Sequence, residues 1–381
     1  MNPDFLYFVE VNEMVNFDDV GPEKILEVYN PKVGMHGFVV IDNTALGPGK
    51  GGIRMTETVT KTEVSRLARA MTWKNALAGL PFGGAKAGII ADDRTMTQEK
   101  KDEIVAAFAE ALKPVCPSLY VAGPDMNMAE HEMEIFADAN GSRQSCTGKP
   151  ANLGGLPHEL GSTGFGVFHS LLVALKHQNK DIKNIRVAIE GFGNVGWFVA
   201  KFVIEAGGKV VAVSDSRGVI INEKGFEFEK LAKTKADKGT VTAYGEGNVL
   251  PNSEVIGVEC DVLVTAAIPD LLKDSDVHKV KASIIVQGSN IPMSMNAEQH
   301  FHEHGVLVIP DFVANAGGVI SSWVEYVGKD KDFMFKIVQE RIVKNTEEVL
   351  ARSKRENKAP RLVAEAIAKE RVLKSCKTCR V

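Results

Sequence analysis

The 381-residue chain is predicted to be an α/β protein of two domains, an N-terminal α/β substrate domain followed by a Rossmann-type dinucleotide-binding domain. Three observations carry that prediction. The length is more than one hydrophobic core usually organises. The second half alternates short apolar runs with helical stretches, the pattern of a parallel, doubly wound sheet. A glycine fingerprint, Gly191-Phe192-Gly193-Asn194-Val195-Gly196, stands directly between one such run and the helix after it.

The elements justify the prediction in chain order. Gly37 to Ile41 (GFVVI) reads as a strand. Thr60 to Gly79 reads as a helix: Thr60 and Glu63 have capping-box spacing, and Val64, Leu67, Ala68, Met71 and Ala78 form its apolar stripe. Thr97 to Lys113 reads as a second helix, stopped at Pro114. A boundary is expected near Gly154 to Gly161, which places the substrate-binding and oligomerisation domain at 1–157 and the dinucleotide-binding domain at 158–339. Strands are then expected at Ile185–Glu190, Lys209–Ser214, Asp261–Ala267, Ser283–Gln287 and Val306–Ile309. The helical residues 340–381 are expected to pack back on the first domain.

Composition limits the partners. A net charge of −4 provides no basic field for nucleic acid or anionic membrane. No run approaches the ~20 apolar residues needed to span a bilayer. The acidic opening MNPDFLYFVEVNEM lacks the features of a signal peptide, so a soluble, cytoplasmic protein is expected. The five cysteines suggest no disulfide framework. Cys376 and Cys379 form a CxxC that reads as an incidental tail pair, because no second pair or nearby histidines complete a zinc site, and no metal is expected.

In the fingerprint, Gly191 permits the tight turn, Gly193 lets backbone approach a pyrophosphate, and Gly196 lets helix and strand pack closely. The diphosphate would rest on the helix N-terminal amides around Asn194 and Val195. Asp215, 24 residues after Gly191 and followed by Ser216, can accept from the adenosine ribose hydroxyls. Asp215 favours NAD by repelling a 2′-phosphate, whereas Arg217 could pair with one, so NAD and NADP both stay open.

Such a half implies hydride transfer without naming what is oxidised. In the first domain, Lys50 lies in a glycine-dense loop, Gly47-Pro48-Gly49-Lys50-Gly51-Gly52. Lys74 continues the apolar stripe of its helix, and Lys86 lies between glycines in Pro81 to Gly88. Lysine is ordinarily a solvated surface residue; held in such places, each would need an anionic partner. A lysine buried among other cations should lose its proton more readily, making Lys86 a candidate base. A dicarboxylate would supply anions for the other two. Asp125, in Val121-Ala122-Gly123-Pro124-Asp125, is either an acidic catalytic partner or a turn residue after Gly-Pro.

GPGKGGIRM (47–55), MTWKNALAGLPFGGAKAGI (71–89), AGPDMN (122–127), STGFGV (162–167), GFGNVG (191–196), VSDSRG (213–218) and NAGGVISS (315–322) occur in this order. Together, over roughly residues 30 to 345, they resemble the glutamate/leucine/phenylalanine/valine dehydrogenases, and most closely the glutamate type. The resemblance implies reversible oxidative deamination of L-glutamate with NAD or NADP, in a homo-oligomer that is often hexameric in the family. It assigns Lys74 to the substrate α-carboxylate, Lys86 to activation of the hydrolytic water, and Asp125 to proton transfer. Thr163 and Asn290 would contact the nicotinamide side, and Asn315 the reacting centre. Lys50 and Ser322 match the γ-carboxylate grip of the glutamate enzymes, where leucine-type enzymes carry apolar residues. The approach to Lys50, Gly34 to Pro48, looks more leucine-like, and Phe165 stands where an arginine is usual. The alternatives are therefore a leucine, valine or phenylalanine dehydrogenase and, from another class, a non-catalytic dinucleotide-binding protein.

Overall fold

A computed structural model describes residues 15–380; the acidic opening segment, with the expectation drawn from it, lies outside the described residues. The described chain forms two compact units. One comprises the residues up to Ala76, then Leu80–Pro157 and those from Glu370 on; the other comprises Leu77–Gly79 and His158–Lys369.

The first unit is a mixed sheet with helices on both faces. Its elements are β1 (Lys24–Asn30), β2 (Met35–Asn43), β3 (Gly49–Lys50), β4 (Ile53–Thr56), α1 (Lys61–Leu77), β5 (Gly83–Ile90), α2 (Gln98–Ala111), β6 (Tyr120–Val121) and α3 (Glu130–Asn140). The strand order is β1-β2-β5-β3-β6, with β4 also paired to β5. β2 is apolar along most of its length because both of its faces are covered. Val39 and Ile41 enter a core with Ile53, Met55, Ile89, Phe108 and Phe136. Phe38 and Val40 pack instead with Val64 and Ala68 of α1. The predicted helix starts are present: Thr60 Oγ1 accepts from Glu63 N at 3.1 Å, and Thr97 Oγ1 from Lys100 N at 3.3 Å.

Lys50 lies on a strand, β3, where the glycine density had suggested a loop, and Lys86 lies on β5. Those glycines serve backbone packing. A Cβ on Gly83 would fall 1.8 Å from Asn43 O, and one on Gly84 would fall 2.2 Å from Thr72 N. β5 is thus pressed between β2 and α1 with no room for side chains at these positions.

The second unit contains α4 (Ser162–His177), β7 (Arg186–Glu190), α5 (Asn194–Glu205), β8 (Lys209–Asp215), β9 (Gly218–Ile221), α6 (Phe228–Lys238), β10 (Asn248–Leu250), β11 (Val262–Thr265) and β12 (Ile284–Gln287). It continues with α7 (Met295–Glu303), β13 (Leu307–Ile309), α8 (Asp311–Ala314), α9 (Gly317–Tyr326), α10 (Lys331–Glu356) and α11 (Pro360–Ser375). The sheet order is β10-β9-β8-β7-β11-β12-β13. From β8 to β13 neighbouring strands are parallel, and β9 and β10 add an antiparallel edge. The chain crosses from one side of β7 to the other at β11. This is the switch point at whose strand ends open α/β sheets bind ligands.

Residues 340–369 group with the second unit, not the first as the sequence had suggested, and only the chain from Glu370 on returns. The reason is the apolar face of α10: Met334, Val338, Ile342, Val349 and Leu350 are buried, and Thr346 Oγ1 lies 3.3 Å from Ser170 Oγ of α4. Among the described residues no helix is long and apolar enough to cross a membrane.

Candidate active site

In the first unit, strand pairing sets the lysine positions. Lys50 is paired to Gly84 of β5 and to Val121 of β6, so it sits mid-sheet and is buried. Its Nζ donates to Ala122 O at 2.7 Å. Gly123 lies beside it: a Cβ there would fall 2.5 Å from Lys50 Nζ and 3.6 Å from Thr147 Oγ1, so a side chain would move the ammonium from its present place. Thr147 is buried, and its hydroxyl has no hydrogen-bond partner among the described residues. Sequence reasoning passed it over, because a threonine beside a glycine looks like a turn.

Lys86 is buried on β5, with Nζ 2.9 Å from Asp125 Oδ2. The charge it touches is an anion, and the cation nearby is reached through that anion. Arg54 of β4, missed from sequence, completes the cluster, with Nε 3.0 Å from the same Asp125 oxygen and Nη1 on Glu63. The signal was an arginine alternating with two buried neighbours, Ile53 and Met55, directly after the Gly51-Gly52 pair. Burial works against the charge of Asp125, yet Lys86 and Arg54 outweigh it and hold the carboxyl below its ordinary value. Asp125 is therefore an anion fixed between two cations. Gly52 permits that approach, since a Cβ on it would fall 2.6 Å from Pro124 O and 2.8 Å from Asp125 Cβ. Lys74 lies half-buried in the last turn of α1, between Thr72, which meets β5, and Asn75, which donates to Gly83 O at 2.7 Å.

In the second unit, the fingerprint glycines occupy three distinct environments. Gly191 has φ +91°, and a Cβ on it would fall 2.6 Å from Ala267 Cβ. A Cβ on Gly196 would fall 1.9 Å from Gly191 O, so helix and turn touch through backbone. Around Gly193 no atom lies within 4 Å of the would-be Cβ. That open backbone at the start of α5, with Asn194 and Val195 next to it, fits a diphosphate.

Asp215 is buried and already satisfied. Its Oδ1 accepts from Arg217 N and Thr240 Oγ1, and its Oδ2 from Lys235 Nζ and Val241 N, all between 2.8 and 3.2 Å. Burial opposes its charge, but Lys235 and the backbone donors keep the carboxyl below its ordinary value. A ribose hydroxyl bonding Asp215 must share one of these oxygens. Lys235, absent from the sequence reading, places a cation beside it. Ser216 and Arg217 are exposed next to this cluster.

Of the remaining candidates, Asn290 and Asn315 are in direct contact, and Thr163 and Ser322 lie on the helices α4 and α9. Asn315, buried after α8, donates from Nδ2 to Asn290 Oδ1 at 2.9 Å. A Cβ on Gly318 would lie 3.1 Å from Thr163 Oγ1, which ties Thr163 in the first turn of α4 to α9. One on Gly288 would lie 3.1 Å from Val195 Cγ1, which sets Gly288 beside the fingerprint. Ser322 is half-buried on α9. Phe165 packs against His169, Phe202 and Phe335 with ring centroids 4.3, 5.3 and 5.0 Å away, so it has a packing role. No group of three or more potential metal ligands is present among the described residues.

The sequence and the fold are similar to those of known proteins. Residues 154–378 match the family described as Glutamate/Leucine/Phenylalanine/Valine dehydrogenase, and residues 22–141 match the Glu/Leu/Phe/Val dehydrogenase dimerisation domain. A glutamate dehydrogenase of Aeropyrum pernix is 37% identical, covering 88% of this chain and 84% of its own. An NADP-specific glutamate dehydrogenase of Saccharolobus shibatae is 39% identical, over 74% of this chain and 69% of its own. A hetero-hexameric glutamate dehydrogenase from Thermus thermophilus, crystallised in a leucine-bound form, superposes with a TM-score of 0.82 at 28% identity, covering 93% of this chain and 89% of its own.

Proposed function

From the premise that the chain belongs to the glutamate/leucine/phenylalanine/valine dehydrogenase family, we propose that it oxidatively deaminates L-glutamate to 2-oxoglutarate and ammonia, reversibly, with NAD or NADP as hydride acceptor. The observation that carries the choice of glutamate is Lys50, an ammonium buried on β3 at the motif position that, in the family pattern, grips a side-chain carboxylate. A glutamate side chain would bring a carboxylate to that ammonium and form a charge-assisted hydrogen bond, which an aliphatic side chain cannot do.

In this reading Lys74 binds the α-carboxylate, and Lys50 with Ser322 binds the γ-carboxylate. Asp125, held ionised by Lys86 and Arg54, takes a proton from the substrate ammonium. When bound, the nicotinamide supplies the hydride acceptor, and the fingerprint glycines, Asn194, Val195, Thr163, Ser216 and Asn290 hold the coenzyme. Loss of hydride from the α-carbon leaves an iminium. Lys86 then orients the water that attacks it and stabilises the charge developing there, while Asn315 faces the reacting centre. Asp125 returns its proton to the departing amine while the two protons of the attacking water pass to solvent, so that ammonia leaves, the keto acid forms and Asp125 is again a carboxylate. The protein works as a homo-oligomer, a hexamer in this reading, with the first unit making the subunit contacts.

Initial rates with L-glutamate, L-leucine, L-valine and L-phenylalanine, each with NAD and with NADP, test the proposal. Turnover of glutamate well above the others is expected, whereas preference for an aliphatic or aromatic amino acid would overturn the role of Lys50.

A further inference from the structure

The CxxC of the tail is absorbed by none of the chemistry above, and it is no loose end. Cys376 and Cys379 form a disulfide just beyond the last turn of α11. Both cysteines are half-buried, while Lys377 and Thr378 between them are exposed. The pair is docked on the first unit. Asn43 Nδ2 lies 3.5 Å from Cys379 Sγ and 3.8 Å from Cys376 Sγ, and Arg380 N donates to Asp19 O at 3.0 Å.

Asn43 is a junction. It is buried at the end of β2, its Nδ2 donates to Val20 O at 3.0 Å, and its Oδ1 accepts from Ala45 N at 2.9 Å. It thereby ties together the segment before β1, the tail and the turn that leads through Gly47 to Lys50. Cysteines in a CxxC flanked by cations exchange readily, because the thiolate is the reacting form. Lys374, Lys377 and Arg380 are such flanking cations, all exposed.

We propose that Cys376–Cys379 is a thiol–disulfide exchange site for a dithiol reductant, and that its oxidised form latches the tail onto Asn43 and so steadies the approach to Lys50. A thiolate of the reductant attacks Cys379 Sγ, forming a mixed disulfide and breaking the internal S–S bond. Cys376 leaves as the thiolate, since it already accepts from Cys379 N at 3.1 Å and from Thr378 Oγ1 at 3.7 Å, and it then takes up a proton. The second thiol of the reductant attacks the mixed disulfide, releasing Cys379 and leaving as its own cyclic disulfide. Two electrons and two protons pass to the protein. The other three cysteines, Cys116, Cys146 and Cys260, are buried, and burial pushes the Cys116 and Cys260 thiols up to about 12, so they stay silent in this exchange.

The test treats the intact enzyme with dithiothreitol under native conditions, alkylates it, and locates the label by peptide mass spectrometry. A parallel sample is probed with trypsin. Label at Cys376 and Cys379 only after reduction, together with faster cleavage at Lys374 and Lys377, is expected. The KM for glutamate should rise about threefold on reduction, the effect of losing one ordinary hydrogen bond, with the coenzyme KM unchanged. Cys376→Ser/Cys379→Ser should show the reduced enzyme's KM with or without dithiothreitol. Label at both positions before any reductant, or no label after it, overturns the exchange site. Exchange without a change in trypsin cleavage or KM overturns the latch. Only the kinetic arm rests on the glutamate reading; labelling and proteolysis stand without it.

Discussion

Asp125→Asn keeps the shape of the side chain and removes the one anion that Lys86 and Arg54 share. Two effects follow, and they differ in size. The structural effect is moderate. Taking one partner from a buried pair costs several kcal/mol, but the Asp125 side chain is 23% exposed and Arg54 keeps Glu63, so about 1–2 kcal/mol is expected. The chemical effect is larger, because an amide cannot take the substrate's proton. Loss of a positioned acid–base group lowers kcat about 10²- to 10⁴-fold, roughly 3–5 kcal/mol of barrier. The assay is kcat at saturating glutamate and coenzyme, with coenzyme binding followed by quenching of protein fluorescence. Binding should persist, because the fingerprint from Gly191 to Asp215 is untouched. A folded variant that retains kcat within about tenfold of the parent would refute the assignment of proton transfer to Asp125.

Lys50→Leu combined with Ser322→Val should lower kcat/KM for glutamate by at least about 10²-fold and raise it for leucine; an unchanged ratio of the two would remove both residues from the γ-carboxylate grip. Asp125 also predicts a pH dependence. Its folded carboxyl lies below the ordinary 3.8, so the unfolded chain binds more protons between the two values; the contribution is full above 3.8 and is lost as pH falls through the folded value. Melting midpoints measured from pH 7 downward should therefore fall less steeply in Asp125→Asn than in the parent, and identical slopes would contradict this. Lys235→Met should bare the charge of Asp215 and shift use from NADP towards NAD by about tenfold, one charge-assisted hydrogen bond; a constant ratio of kcat/KM for the two coenzymes would show that Lys235 plays no part. Gly52→Ala should push its new methyl into Pro124 O and Asp125 Cβ, lowering kcat by about 10²-fold as misplacement of about 1 Å does, and an unaltered kcat would mean that the loop yields freely.

What could be read from the sequence follows the range of the interactions. Thr60 and Thr97 cap their helices within three residues, and the fingerprint acts within six, so short windows contain the whole cause. β3 is two residues long, and β5 (GGAKAGII) looks like a loop because its glycines answer to Asn43 and Thr72, distant in sequence. Arg54 stayed hidden for the same reason, since its partner Asp125 lies 71 residues away. The sequence offers Asp125 as an acidic partner, and it lies 2.9 Å from Lys86, whereas the sharing of that oxygen with Arg54 is a long-range feature that no motif contains. At the tail, spacing named the cysteines without showing that Asn43 receives them.

The two halves are consequently built on different logic. In the proposed coenzyme half the backbone does most of the work: Gly193 is open, Gly191 and Gly196 touch, and the charged side chains nearby are Asp215 and Lys235. Around Asp125 the chemistry belongs to side chains, and glycine has the opposite duty of clearing space for them: Gly52 for Asp125, Gly123 for Lys50, Gly84 for the helix that carries Lys74. A substitution in the first set removes the binding surface, whereas one in the second displaces a charged group that still exists. Substrate preference can therefore change through residues beside Lys50, such as Thr147, without disturbing the fingerprint. That separation is a physical reason why one family can serve amino acids as different as glutamate and leucine.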